Sequence, residues 1–397
     1  MKVLYIHQYF RTPDEGGAIR SYYLTRELVK KGFEVEVISA HNENQVEIKN
    51  IEGVRVHYLP VYYHNSLSFS ERIRSYLKFA FLAIVRSYSI KKPDLCYVMT
   101  TPLTTGLVAL CIKWTRRVPY IFEVGDLWPL VPVEMGIIRN KVLKTLLFRF
   151  EKLCYAGARG IVALSPAIAE YIESKVPGKP IETITNIADC TYFVPEKKSD
   201  ETRQKFGIKS ELVISYAGTL GMANQMEYLV EAARAVANLP VKFLIIGEGA
   251  QKEKITAMVG EYGLRNVTFL PQCDRKGIRE VLNVSDAIYI SFVNIPSINT
   301  GSPNKLFDGL ASGKLIIVNF EGWIKNLIYT NDAGFAYSPE NTVSFNEKLS
   351  LFLDNKEILK SFQKNARQLA ENSFSLDRLS EKQEGFILDI LNITHRP

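Results

Sequence analysis

Short, uninterrupted apolar runs recur along this chain, and stretches of helical period separate most of them. In order they are "VLYIHQY", "EVEVISAH", "VRVHYLP", "DLCYVM", "VPYIFEV", "RGIVALS" and "IETITN", then "LVISYAGT", "VKFLIIG", "NVTFLP", "DAIYISF" and "KLIIVNF". Strands without polar alternation are buried on both faces, the condition of parallel sheets flanked by helices. The densely charged stretch "PEKKSDETRQKFGIKSE" parts the runs into two sets and reads as a linker with its following helix. The expected fold class is α/β, with two doubly wound, Rossmann-like domains facing across a cleft. The first is placed at residues 1–190 and the second at 191–375, with a C-terminal helix, about 376–397, packing back on the first. Helical period is clearest over Ala18–Lys31 and Asn140–Ala156, and the chain closes with helices over Ser344–Ser373 and Leu376–Ile393.

Several classes of protein are disfavoured by composition. With 397 residues, 47% hydrophobic and 23% charged, the chain is an ordinary globular one. "MKVLYIHQYF" reads as a first buried strand and not as a signal peptide, so the expected localisation is cytoplasmic. The charge-free stretch Leu95–Ile112 contains "TTPLTTG", which suits strand, loop and helix better than a membrane span. The net charge of +7 is spread along the chain, favouring acidic partners such as phosphates or anionic lipid and not nucleic acid. Five scattered cysteines read as buried thiols, and neither they nor the five histidines have the spacing of a metal site. Between Leu67 and Lys92, basic residues that include Lys78 and Arg86 interleave with Leu, Phe and Ile. Two readings stand there: a core-facing helix with a solvated basic face, or a helix that docks on a membrane surface.

Open parallel sheets bind ligands beyond the carboxyl ends of their strands, so loops after strands carry the candidates. In "NTGSPNKLFDGLASGK", Ser302 is a suitable N-cap and Pro303 suits the first helical position. Lys305 then lies in the first turn, where free N–H groups already favour an anion. Asp308 lies on the same face one turn deeper, and a carboxylate accepts two hydroxyls at once. The pattern is that of a nucleotide with its diphosphate at Lys305 and its ribose at Asp308. The plain alternative is a solvated Lys–Asp pair worth a few tenths of a kcal/mol.

This segment resembles the donor site of retaining glycosyltransferases with the GT-B fold, in the large bacterial family-four group. It is most similar to the fucosamine-transferase-like branch that builds surface polysaccharides. "YAGTLGMANQMEYLVEAA", "LIIGEGAQKEKI", "NVTFLPQCDRKGIREVLNVSDAIYIS", "FEVGDLWP" and "YIHQYFRTPDEGGAIRSYYLTRELVKKG" agree in the same order along the chain. The resemblance implies donor contacts from Thr300, Ser302, Pro303, Asn304, Lys305, Leu306 and Asp308. It implies further contacts from Gly218 and Thr219, from Gly247 and Glu248, and from Gly16, Gly17 and Arg20. Thr300 stands where family members often place a Glu, and Thr219 and Asn224 where they usually place an Arg and a Lys. For Asp126 and Glu123, in "FEVGDLWP", the resemblance implies a role in taking the acceptor or stabilising positive charge at the anomeric carbon; alternatively Asp126 only caps a turn.

The implied reaction moves a sugar, with retention, from a nucleotide diphosphate sugar, UDP by family habit. The implied acceptor is a polyprenyl-diphosphate-linked saccharide at the inner membrane surface, and no metal or other cofactor is expected. Two rivals share the fold: a nucleotide-sugar epimerase and an inactive nucleotide-sugar-binding subunit.

Overall fold

In the computed structural model, residues 1–397 are described except 18, 65, 66, 210 and 393–397. The start of the first expected helix at Ala18 and the end of the last one, 393–397, lie outside the described residues. The chain divides into two compact units. The first comprises Met1–Thr185, Thr300–Ser302 and the chain from Asp377 on; the second comprises Asn186–Asn299 and Pro303–Leu376.

The first unit has one eight-stranded sheet. Its strands are β1 (Lys2–Ile6), β2 (Glu34–His41), β3 (Glu47–Ile51), β4 (Val54–Pro60), β5 (Leu95–Met99), β6 (Tyr120–Val124), β7 (Gly160–Ala163) and β8 (Ile181–Thr183). They lie in the order β3-β4-β2-β1-β5-β6-β7-β8. Val3 of β1 registers with Val35 of β2 on one side and Leu95 of β5 on the other. The order therefore reverses beside β1, the kind of position where such sheets bind ligands. Its helices are α1 (Arg20–Lys30), α2 (Phe69–Tyr88), α3 (Thr105–Arg116), α4 (Leu130–Glu134), α5 (Lys141–Gly157) and α6 (Pro166–Lys175). All seven expected strands form. The added one, β3, pairs antiparallel with β4 at the sheet edge and leaves Ile48, Lys49 and Asn50 exposed. An edge strand open to water has no need of a continuous apolar run.

Helix α2 begins with a capping box, Ser68 accepting from the Glu71 N–H while Glu71 accepts from the Ser68 N–H. Its basic residues do not all face solvent, as the amphipathic reading supposed. Arg86 turns inward, and its Nε donates to Nδ1 of buried His57 at 3.0 Å. Leu77, Phe81, Val85 and Tyr88 are exposed instead.

The second unit's sheet contains β9 (Leu212–Ala217), β10 (Val241–Ile246), β11 (Val267–Leu270), β12 (Ala287–Ile290), β13 (Leu315–Val318) and β14 (Gly334–Ala336). All neighbours are parallel, in the order β11-β10-β9-β12-β13-β14, so the reversal falls between β9 and β12. Around it lie α7 (Asp200–Lys205), α8 (Glu227–Ala235), α9 (Lys252–Glu261) and α10 (Arg275–Val284). They are followed by α11 (Pro296–Asn299), α12 (Asn304–Ala311), α13 (Trp323–Thr330), α14 (Thr342–Asp354) and α15 (Lys356–Leu369). The long helix expected over Ser344–Ser373 is broken because Asn355 caps a new one, accepting from the N–H groups of Glu357 and Ile358. The last helix, α16 (Leu376–Leu391), groups with the first unit from Asp377 on. The five cysteines are free thiols, but only Cys96 and Cys154 are fully buried.

Candidate functional site

The site is built on α12, which runs from the β12 side of the sheet into β13. Leu306, Phe307 and Leu310 anchor it, each with no exposed surface. Gly313, at φ +59°, ends it; its N–H returns to the Leu310 carbonyl, and the Lys314 N–H to that of Gly309. Its beginning corrects the expectation. The N-cap is Pro303, and no side chain caps the helix, so Ser302 does not serve. The N-terminal amides thus keep their pull on an anion.

Lys305 and Asp308 form no ion pair, which removes the solvated-pair reading. The Lys305 Nζ lies 3.9 Å from the centre of the Tyr216 ring and, among the described residues, donates to no protein oxygen. It also presses on Gly218, 2.9 Å from where a Cβ on that residue would be. Burial without a counter-ion lowers its pKa to about 7. Burial raises the Asp308 carboxyl to about 7, with Arg275 opposing the rise and Asp189 adding to it. Both side chains nevertheless keep a solvent-reachable edge. A cation and an acid, each poorly hydrated and, among the described residues, without an ion-pair or hydrogen-bond partner from its side chain, sit one turn apart.

Two glycine-rich turns complete this part. The Gly218 N–H donates to the Ile246 carbonyl at 3.0 Å and the Leu220 N–H to that of Glu248 at 2.9 Å. Gly218 and Leu220 therefore do not offer amides to a ligand. Thr219, exposed between them, keeps its N–H open, while its carbonyl accepts from the Tyr216 hydroxyl at 2.7 Å. Gly247 has φ +151°, and a Cβ there would lie 1.8 Å from the Gly218 oxygen. Gly247→Ala is expected to cost about 2–4 kcal/mol of stability in a urea titration, since both backbone strain and collision oppose it. Glu248 is exposed and paired with Lys252 at 2.5 Å.

Arg275 and Asp189 were not expected at the site. They pair at 2.5 Å, and the Arg275 guanidinium lies 4.0 Å from the centre of the Tyr192 ring. Nothing in their local sequence marks two residues this far apart in the chain as neighbours of Asp308.

The first unit divides the remaining candidates. Arg20 is buried. Its Nη1 donates to Glu123 at 3.0 Å, Nη2 to the Ile184 carbonyl at 2.8 Å and Nε to the Thr185 carbonyl at 3.1 Å. Glu123 has no exposed surface and also accepts from the Tyr97 hydroxyl at 2.6 Å. The Arg20–Glu123 pair thus ties α1 to β6, and each of the three guanidinium nitrogens has an acceptor within the first unit. Asp126, in the turn after β6, is exposed, while the crowding of its surroundings raises its pKa. Gly16 and Gly17 adopt φ of +68° and +80° in the loop before α1. Thr300 groups with the first unit, where the Ser165 hydroxyl donates to its carbonyl at 2.6 Å.

Comparison with known proteins agrees with this architecture. The family described as "Glycosyl transferase 4-like domain" matches residues 15–186. That described as "Glycosyl transferases group 1" matches residues 198–369. Sucrose-phosphate synthase of Thermosynechococcus elongatus superposes with a TM-score of 0.79 at 16% identity, covering 98% of this chain and 99% of that one. Anabaena HepE, in complex with UDP and glucose, superposes at 0.68 and 15% identity over 98% and 100% of the two chains. The fold is thus that of the GT-B glycosyltransferases.

Two curated relatives align as well. The protein named colanic acid biosynthesis glycosyl transferase WcaI, of Escherichia coli, is 24% identical over 38% of each chain. Campylobacter jejuni has an α-1,4-N-acetyl-D-galactosaminyltransferase named as acting on a diNAcBac-PP-undecaprenol-linked saccharide. It is 24% identical over 99% of each chain. The chain belongs to the family-four group of GT-B glycosyltransferases.

Proposed function

We propose that this glycosyltransferase moves a sugar, with retention, from a UDP-sugar to a polyprenyl-diphosphate-linked saccharide during bacterial surface polysaccharide synthesis. It would work peripherally on the cytoplasmic face of the inner membrane, within the fucosamine-transferase-like branch. The observation that carries the reading is the pair Lys305 and Asp308, each half-buried and, among the described residues, neither held by an ion pair or side-chain hydrogen bond. A diphosphate at Lys305, the Thr219 N–H and the start of α12 supplies the missing anion. A ribose diol supplies Asp308 with two donors. HepE, which binds UDP, and the Campylobacter transferase, whose acceptor is undecaprenol-linked, support the choice of substrates.

In the reaction the bond between the anomeric carbon and the diphosphate oxygen breaks, and a bond to the acceptor oxygen forms. The acceptor's proton passes to the departing phosphate, whose growing charge Lys305 is placed to stabilise. Asp126 is assigned to the acceptor side. No metal is required by this assignment, so transfer is expected to survive EDTA; loss restored by Mg2+ would contradict that part.

The test is incubation with radiolabelled UDP-sugars, with and without bacterial lipid extract. Label entering the lipid fraction is expected. Conversion of the donor without acceptor would instead indicate an epimerase, and binding without turnover an inactive subunit.

A further inference from the structure

Arg275 and Asp189 have no part in the reaction as assigned, yet they stand beside its ribose-binding acid. Arg275 opens α10, and its Nη2 donates to Asp189 Oδ2 at 2.5 Å. Its guanidinium also lies 4.0 and 5.1 Å from the centres of the Tyr192 and Phe193 rings. Asp189 is fixed in turn, its Oδ1 accepting from the Thr191 hydroxyl at 2.8 Å and the Tyr192 N–H at 3.1 Å. The two side chains are only 15% and 12% exposed, so salt screens their charges weakly.

Packing carries this pair against α12. Phe193 shares a core with Leu306, Phe307 and Leu310 of α12, and Tyr192 and Ile278 of α10 pack on that core. Arg367 of α15 locks the arrangement. Its Nη1 donates to the carbonyls of Phe193 at 2.8 Å and Ala311 at 2.5 Å, and its Nη2 to that of Cys190 at 2.9 Å. Two charges outside α12 act on the Asp308 carboxyl: Arg275 lowers its pKa and Asp189 raises it. The other charged groups nearby are engaged elsewhere or lie on α12 itself. Asp274 caps α10, accepting from the Gly277 N–H at 2.8 Å, and Arg367 also holds Glu371 at 2.7 Å. Lys305 lies one turn nearer the start of α12, and β12 and β13 beneath it carry no charged residue.

We infer that Arg275 is a positioning residue for donor binding: fixed by Asp189 and Tyr192, it keeps Asp308 ionised for the ribose diol, and Asp189 sets how much of its charge Asp308 feels. The inference rests on the reading that places the ribose at Asp308, and adds two residues to it. Neither touches the nucleotide. Arg275 acts through its field, which is strong at a poorly hydrated carboxylate and weak at a solvated one.

Two measurements on the full chain test it: calorimetric titration with UDP between about pH 5 and 9, and NMR titration of 13C-labelled aspartate carboxyls in the empty protein. Asp308→Asn identifies the Asp308 signal by its loss. Arg275→Gln is expected to move the acid limb of UDP binding, and the Asp308 titration with it, up by about one pH unit, the lower end of what an opposite charge does. UDP affinity should then fall about tenfold at about pH 6 and less than about twofold at about pH 9. Asp189→Asn should move both down. Arg275→Lys keeps the charge without the planar fork and should restore the wild-type position. A pair that only holds the fold together would lower the melting temperature of both variants and leave the limb in place. A thermal melt shows which variants fold, and if Arg275→Gln does not, the downward displacement in Asp189→Asn decides. An acid limb and an Asp308 signal that stay in place in the folded variants overturn the inference. If Asp308→Asn binds UDP as wild type does, the ribose reading fails instead, and the NMR titration still reports whether the pair acts on Asp308.

Discussion

Lys305→Met is expected to weaken UDP binding by about 10–150-fold at pH 7 while making the empty protein more stable. The first effect is the loss of a charged hydrogen bond worth about 1.5–3 kcal/mol. The second follows because Lys305 has no protein counter-ion and a pKa lowered to about 7. Between about pH 7 and the ordinary lysine value, the unfolded chain holds this proton more tightly than the folded one. The cost to stability is therefore full below about pH 7 and fades as pH rises through that interval. Below pH 7 the Met variant should gain about 1–3 kcal/mol in chemical denaturation, the order of cost of an unpartnered buried polar group. A destabilised variant would mean that Lys305 has a structural partner.

The same groups predict the pH dependence of binding. A diphosphate selects the protonated Lys305, so affinity should fall above about pH 7, by up to tenfold per pH unit. A ribose diol selects ionised Asp308, whose carboxyl is also raised to about 7, so affinity should fall below that value too. Lys305→Met should flatten the alkaline limb and Asp308→Asn should reduce the acid limb. A profile unchanged in both variants would dissociate these residues from the ligand.

Arg20→Met carries the largest expected loss of stability, about 3–5 kcal/mol, because it leaves Glu123 buried without its cation. The double variant Arg20→Met, Glu123→Leu should recover much of that loss, since a well-packed apolar pair often replaces a buried ion pair at little cost. UDP affinity of the folded double variant should be unchanged. If Arg20→Met is instead stable and loses UDP, the guanidinium contacts the donor after all and the buried pairing is not its main role.

Much of the fold was legible because parallel strands buried on both faces leave continuous apolar runs. Strand β3, "EIKNI", escaped notice because its exposed edge permits charge, and β14 because three residues make too short a signal. The position of Lys305 and Asp308 on one helix face was readable from a spacing of three. Their solvation was not: whether two such residues pair with each other or wait for a ligand depends on what packs around them. Tyr216 and Gly218 decide this for Lys305, and they lie far upstream in the chain. Arg20 and Glu123 show the converse. Each looked available in its loop or strand end, and a partner 103 residues away consumes both.

The most direct test is a crystal of this protein soaked with UDP. The diphosphate is expected within hydrogen-bonding distance of the Lys305 Nζ and the Thr219 amide, with the ribose hydroxyls on the Asp308 carboxylate. Clear density for UDP elsewhere, with Lys305 still resting on the Tyr216 ring, would contradict the account.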